Sequence, residues 1–385
     1  MTRYLAFAAL LLVLAGLVWT LWPRPAVQNA DDFSLQGLLG GDAEGFARAE
    51  TVRPFRFPAD HGAHPDYRSE WWYLTGNLYA ADGRRFGFQF TLFRFALSPQ
   101  PRPGESEWGS RQAWMAHLTV TDVASNRIYA FERFSRGAPG LAGAEAEPFR
   151  AWLDDWQLAA VGDPFPWQLL AAEGDIGLRL QLEARKPPVL QGEQGLSRKG
   201  PEPGNASYYY SYTRLVAAGE LRIGDERLQV TGSAWLDREW STSVLSEEVQ
   251  GWDWFALQFT DGSELMAYRL RDVAGTVVGY SAGSYVPANG APQSLAGADF
   301  RLEPVSHWTS PHTGTRYPVR WRLRIPALAA ELDIAAATAD QELDLSVRYW
   351  EGAVDVSGRL GGGPAQGVGY MELTGYGAAG GGRGR

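Results

Sequence analysis

Over most of the chain, apolar and polar residues alternate one by one, the two-residue period of a half-buried strand. Phe86, Phe88, Phe90 and Leu92 alternate with Gly87, Gln89 and Thr91, and predict a strand running to about Phe95. Trp114 to Val120 reads the same way and carries His117. The pairs Asp82-Gly83, Gly224-Asp225 and Asp261-Gly262 are turn signals that punctuate such strands. No long amphipathic helical period interrupts the pattern. Residues 138–147 and 191–204 read as loops, and the glycine-rich stretch 378–385 as a disordered tail.

One segment departs from this pattern. Tyr4 to Trp22 is a 19-residue run without a charge, between Arg3 and Arg24. Its length suits either a signal peptide or a single membrane anchor, and Pro23 and Pro25 would end its helix. The expectation is an exported protein, periplasmic or otherwise extracytoplasmic, attached to the inner membrane if the segment is retained.

The pattern also repeats. Trp71, Trp72 and Tyr73 lead through Asp82-Gly83 to a strand ending near Arg94; Trp252, Asp253 and Trp254 lead through Asp261-Gly262 to one ending at Arg271. The segment Gly232 to Asp237, with Trp235, matches Gly367 to Glu372, with Tyr370: glycine, a small residue, an aromatic and an acid at the same spacing. Each half thus opens on a Trp-rich hairpin and closes on an aromatic-x-acid strand. Each has the length of an antiparallel barrel. The expected organisation is 1–25 signal or anchor, 26–54 linker, 55–243 first barrel, 244–377 second barrel and 378–385 tail.

Composition narrows the chemistry. The 385 residues include no cysteine, which excludes disulfides, thiolate metal sites and cysteine nucleophiles. A net charge of -9 argues against nucleic acid as a partner. The only histidines are His61, His64, His117, His307 and His312, and none has metal-ligand spacing beyond the His61/His64 pair, which fits loop histidines better. No metal or cofactor is expected. Gly279 to Gly283 fits the G-x-S-x-G nucleophile pattern around Ser281, but strand-like flanks replace the required strand–turn–helix context.

The strongest candidate lies in the strand Gly232 to Trp240. Alternate residues share a face about 6.5–7 Å apart, so Trp235, Asp237 and Glu239 are presented together. A carboxyl against an aromatic wall has its charged form disfavoured and can act as a general acid near neutrality. The alternative is an Asp paired with an arginine or exposed at a barrel rim. Tyr208, Tyr210 and Tyr212, followed by Arg214, form a tyrosine face on the preceding strand; they either line a cavity beside Asp237 or form a cross-strand ladder. Trp72 and His117 are further candidate ligand contacts. Trp252 to Trp254 is placed by its position at the joint between the halves.

These motifs resemble the AttH/CrtC-like family, also described as carotenoid 1,2-hydratase-like or predicted secreted hydrolases. The resemblance is carried by His61 to Gly76, Ala206 to Arg214, Gly232 to Ser241 with Gly251 to Phe255, and Tyr370 to Tyr376. It implies an all-β fold of two tandem lipocalin-like antiparallel β-barrels. It also implies water addition at a carbon–carbon double bond of an apolar, isoprenoid or lipid-like substrate without a cofactor, with Trp235 and Asp237 matching an aromatic-x-Asp pair of the hydratases. A His-x-Trp pair of that family is replaced here by Tyr208-x-Tyr210. On this reading Asp237, Glu239, Tyr208, Tyr210 and Trp235 are catalytic, and Trp72, His117, Arg214 and Tyr212 bind ligand. The alternatives are a non-catalytic carrier working with an ABC transporter permease and, third, a secreted hydrolase.

Overall fold

A computed structural model describes residues 43–99, 111–137, 140–242, 245–246 and 248–377. The Tyr4–Trp22 run and the 378–385 tail lie outside the described residues. No helix among the described residues is long and apolar enough to cross a membrane.

The alternating pattern folds into two antiparallel sheets. The first comprises β1 (Ser69–Ala80), β2 (Arg85–Ala96), β3 (Gln112–Asp122), β4 (Arg127–Arg136), β5 (Ala142–Ala146), β6 (Phe149–Leu153), β7 (Trp156–Ala160), β8 (Trp167–Glu173) and β9 (Ile176–Ala184). The short β10 (Val189–Leu190) and β11 (Leu196–Arg198), then β12 (Ala206–Ile223) and β13 (Glu226–Ser241), complete it. The second comprises β14 (Gly251–Phe259), β15 (Glu264–Arg271), β16 (Ala282–Val286), β17 (Gln293–Ala296), β18 (Arg301–Thr309), β19 (Arg316–Ile325), β20 (Ala330–Ala336), β21 (Glu342–Asp344), β22 (Arg348–Leu360) and β23 (Gly363–Leu373). In each sheet the first strand pairs with the last, β1 with β13 and β14 with β23. The fold is therefore all-β, two lipocalin-like sheets in tandem, each curled to near closure.

Side chains close the curls. Arg133 on β4 donates to Glu173 at 2.9 Å and to the Ala172 carbonyl at 3.2 Å, and lies 4.3 Å from the Trp156 ring. In the second sheet Arg269 on β15 reaches the Leu302 carbonyl at 3.2 Å and lies 4.5 Å from the Trp321 ring. Two stretches expected to be loops contribute strands. Ala142–Ala146 forms β5 because Gly143 leaves room for the Trp152 indole: a Cβ there would sit 2.6 Å from the ring. Leu196–Arg198 forms β11 against β12.

Each sheet packs its own core. Trp72, Leu74, Phe88, Phe90, Trp156 and Trp240 are among the residues filling the first, and Phe255, Trp321, Trp350 and Met371 belong to the second. A third apolar cluster joins the outer faces of the two sheets through Tyr73, Tyr209, Trp235, Trp254, Tyr268 and Tyr370. Polar struts flank it. Arg214 Nε donates to Glu264 at 2.5 Å, with Lys186 on the same carboxylate at 2.7 Å. Asn77 Nδ2 donates to the Gly369 carbonyl at 3.1 Å.

The His61–Gly76 motif plugs the first curl. Glu70, fully buried at the start of β1, accepts from Arg94 and Arg238 and from the His64 amide at 3.0 Å. Burial opposes its charge, but the two guanidinium groups outweigh this and hold its pKa well below the usual range. His64 stacks on Trp240 at 3.8 Å, and Trp72 donates its indole N–H to the His61 carbonyl at 2.9 Å. Removing one member of a buried ion cluster leaves the others uncompensated, at a cost of about 3–5 kcal/mol. Glu70→Gln is therefore expected to lose about that much stability in urea unfolding at neutral pH; a loss below about 1 kcal/mol, the range of a surface pair, would contradict this role.

Candidate active site

The site is set by one irregularity in register. From the turn outward β12 and β13 pair regularly, Ile223 opposite Glu226 through Leu215 opposite Ala234. Continued without a break, that ladder would set Tyr212 opposite Asp237 and Tyr210 opposite Glu239. Instead a β-bulge places Thr213 and Arg214 against Trp235, and beyond it Tyr212 faces Leu236 and Tyr210 faces Arg238. A one-residue slip exchanges the two faces of a strand. Tyr208, Tyr210 and Tyr212 therefore turn into the first core, and Tyr209 and Ser211 come to lie against Glu239 and Asp237.

Asp237 consequently sits in a ring of donors. Tyr209 donates its hydroxyl to Oδ2 at 2.5 Å; Ser211 and Trp235 donate to Oδ1, each at 2.6 Å. The Trp254 indole N–H donates to the Tyr209 hydroxyl at 3.4 Å, linking the second sheet to the acid. Burial pushes the Asp237 pKa up to about 7, opposed by the three donors and assisted by the nearby Glu239. Glu239 itself accepts from Ser207 and lies 3.1 Å from Lys199 Nζ. Lys199 is held protonated: burial opposes its charge, but Glu239 outweighs that. Its ammonium lies 4.4 Å from the centre of the Tyr268 ring.

These groups open into a cavity between the two sheets. Trp71, Tyr73, Phe93, Tyr209, Asp237, Glu239 and Lys199 line it from the first sheet and its loops; Trp252, Trp254, Tyr268, Leu270 and Glu372 line it from the second. Tyr73 meets Trp254 edge to face at 5.2 Å. Glu372 accepts the Trp252 indole N–H at 3.0 Å, and burial together with Asp237 and Glu239 pushes its pKa up to about 7. A buried acid that holds its proton near neutrality, among aromatic faces able to stabilise positive charge, is suited to protonating an apolar substrate.

The sequence-predicted residues divide accordingly. Trp235, Asp237 and Glu239 do share a face, and Trp252 and Trp254 do lie at the joint. Tyr208 and Tyr210 are not beside Asp237: Tyr210 bonds His61 Nδ1 at 2.6 Å and Tyr208 the Thr51 carbonyl at 2.8 Å, both within the first core or its plug. Tyr212 packs there against Phe165 and Trp167. Trp72 lies inside the same curl, 3.9 Å from the Arg238 guanidinium. Arg214 is a strut to Glu264. His117 faces the second sheet but away from the cavity, bonded to the Tyr349 hydroxyl at 2.6 Å, and burial lowers its pKa to about 3. Ser281 is bonded to backbone at Leu270 and Val278. Among the described residues no group of three or more His, Asp or Glu is arranged to hold a metal. Lys199, Tyr209 and Ser211 were missed because the register conceals them. Glu372 was signalled by the Tyr370-x-Glu372 echo.

The raised acids give stability a definite pH dependence. Asp237 binds its proton more tightly folded than unfolded, so its contribution is greatest below about pH 4 and is lost as pH rises toward 7. Asp237→Asn should therefore lose less stability than wild type between about pH 5 and pH 8, read as urea midpoints. Parallel curves for the two proteins would show that Asp237 ionises in the ordinary range.

A profile of the AttH-like family matches residues 48–376. The dehydratase asqC of Emericella nidulans is 23% identical over 207 residues, which are 51% of this chain and 57% of that protein. The chain thus spans little more than half the length of this relative. Among solved structures, a Nitrosomonas europaea protein assigned to AttH matches with a TM-score of 0.76 and 36% identity, over 86% of this chain and 100% of that one. Kievitone hydratase from Nectria haematococca matches with a TM-score of 0.64 and 15% identity, over 86% of this chain and 96% of that one, a likeness of fold alone. With well over four-fifths of its length matched by the family profile, and the whole of the Nitrosomonas structure covered, the chain belongs to the AttH-like family.

Proposed function

We propose that the inter-sheet cavity adds water to, or removes it from, a carbon–carbon double bond of an apolar substrate by acid catalysis. The observation that carries this reading is Asp237, a buried carboxyl holding its proton near neutrality in an aromatic-walled cavity. Asp237 protonates one alkene carbon. The cation left on the other is stabilised by the faces of Trp252, Trp254 and Tyr73 and by nearby carboxylate charge. Water captures it; the reverse sequence is dehydration. Tyr209, Ser211 and Trp235 hold the carboxyl in place and stabilise the carboxylate it becomes. The dehydratase and hydratase named among the relatives support this class of reaction. The Tyr4–Trp22 run supports delivery of the activity to the outer side of a membrane.

The test is incubation of the full chain with acyclic isoprenoid alcohols and acids in oxygen-18 water, scored by heavy oxygen in the product. Wild type should form a labelled alcohol at a rate that falls above about pH 7, where Asp237 loses its proton. Asp237→Asn should be slower by about a hundredfold or more, the usual contribution of a general acid. Equal rates for wild type and variant would sink the proposal. A tightly retained apolar compound that never gains oxygen would favour the carrier alternative.

A further inference from the structure

The cavity lies where the two halves of the duplicated sequence meet, and its walls repeat. In the first sheet Tyr73 is opposite Asp237 and Thr75 opposite Trp235; in the second Trp254 is opposite Glu372 and Ala256 opposite Tyr370. The hairpin positions correspond as well, Trp71 opposite Phe93 and Trp252 opposite Leu270. Glu372 thus holds in the second sheet the place that Asp237 holds in the first. Each accepts an indole N–H, from Trp252 and Trp235 respectively, and both line one cavity. We infer that Glu372 is a second catalytic carboxyl, the base that takes a proton from the attacking water while Asp237 supplies the proton to carbon.

This assignment rests on the hydratase reading above and gives the second sheet a part in the chemistry. The steps balance. The alkene π pair takes the Asp237 proton as its O–H bond breaks, leaving a carboxylate. A water lone pair forms the C–O bond, and one water O–H bond breaks with its proton passing to Glu372. The alcohol leaves, and the proton returns from Glu372 to Asp237 through solvent at the cavity mouth.

Neighbouring charges suit the division. Asp237 and Glu239 face Glu372 from β13, Lys199 from the loop after β11, and Glu351 directly across from β22. Tyr73 donates its hydroxyl to Glu351 at 2.5 Å, and the hydroxyls of Tyr349 and Tyr370 lie in the same buried group. Burial first and Glu372 second hold the Glu351 pKa well above the carboxylate range, which favours its neutral form beside Glu372. Lys199 favours a carboxylate at Glu372, and the neighbouring acids limit how many charges the cavity carries at once.

The two roles separate in one experiment. The full chain is incubated with the same isoprenoid alkenes in deuterium oxide carrying oxygen-18. Deuterium in recovered alkene reports protonation of carbon, and oxygen-18 in the alcohol reports capture of water. Glu372→Gln keeps an acceptor for the Trp252 indole and should fold, checked by its urea midpoint. It should lose oxygen-18 incorporation by about a hundredfold while deuterium exchange stays within about threefold of wild type. Asp237→Asn should lose both. If Glu372→Gln retains both labels, or loses both equally, the assignment of Glu372 as the base is overturned although the hydratase reading stands. Wild type that incorporates neither label overturns the hydratase reading, and this assignment with it.

Discussion

Burial of the outer face of β1, β12 and β13 against the second sheet is the interaction on which the rest of the structure depends. That face carries Tyr73, Tyr209 and Trp235, which belong to the apolar cluster joining the sheets. Burying side chains of this size contributes about 1.5–3 kcal/mol each, so the two curled sheets are held as one body. The same contact removes Asp237, Glu239 and Glu351 from water and leaves Glu372 half-buried at the cavity. An isolated buried charge costs several kcal/mol, and each acid must find a counter-ion or keep its proton. Glu239 has Lys199. Asp237 has only neutral donors, and a shift from 3.8 to about 7 corresponds to roughly 4 kcal/mol against ionising.

The same residue types therefore have opposite fates according to what faces them. Glu70, with two guanidinium groups, is a stable carboxylate that fixes the plug in the first sheet. Asp253, at the start of the second sheet, takes Arg269 at 2.5 Å and Arg271 at 3.0 Å and accepts the Tyr376 hydroxyl at 2.8 Å. These arginine-bound acids lock the opening hairpin of each half. Asp237, Glu351 and Glu372, which face the other sheet without an arginine beside them, have their pKa values raised instead, chiefly by burial. Strand parity thus separates the arginine-bound acids of the two openings from the acids that line the inter-sheet cavity.

Much of this was legible in the residues. The alternation around Phe86–Phe95 specified strands, the paired hairpins specified two similar halves, and the spacing of Trp235, Asp237 and Glu239 put them on one face. The tyrosine assignment failed for a reason that spacing cannot reveal. An ideal hairpin from Gly224-Asp225 does bring Tyr210 and Tyr212 beside Glu239 and Asp237; the bulge at Thr213 and Arg214 turns them away. A bulge is set by what the extra residues gain elsewhere. Here Arg214 reaches Glu264 on β15 and the Thr213 carbonyl accepts from Gln258 on β14 at 2.7 Å, two contacts with strands distant in sequence. Lys199 was hidden in the same way, because its partner Glu239 is brought to it only by pairing. The family motif around His61 and His64 contributes packing, with His61 bonded to Tyr210 and His64 stacked on Trp240.

The central claim is that the functional cavity lies between the sheets and not inside a barrel. It is tested most directly by photo-crosslinking an isoprenoid carrying a diazirine to the full chain, with labelled residues mapped by mass spectrometry. The account predicts labels on both halves, at Trp71 or Tyr73 and at Trp252, Trp254 or Leu270, with none on Phe149, Trp167 or Leu169. Labels confined to those three core residues would place the ligand inside the first curl and contradict the account.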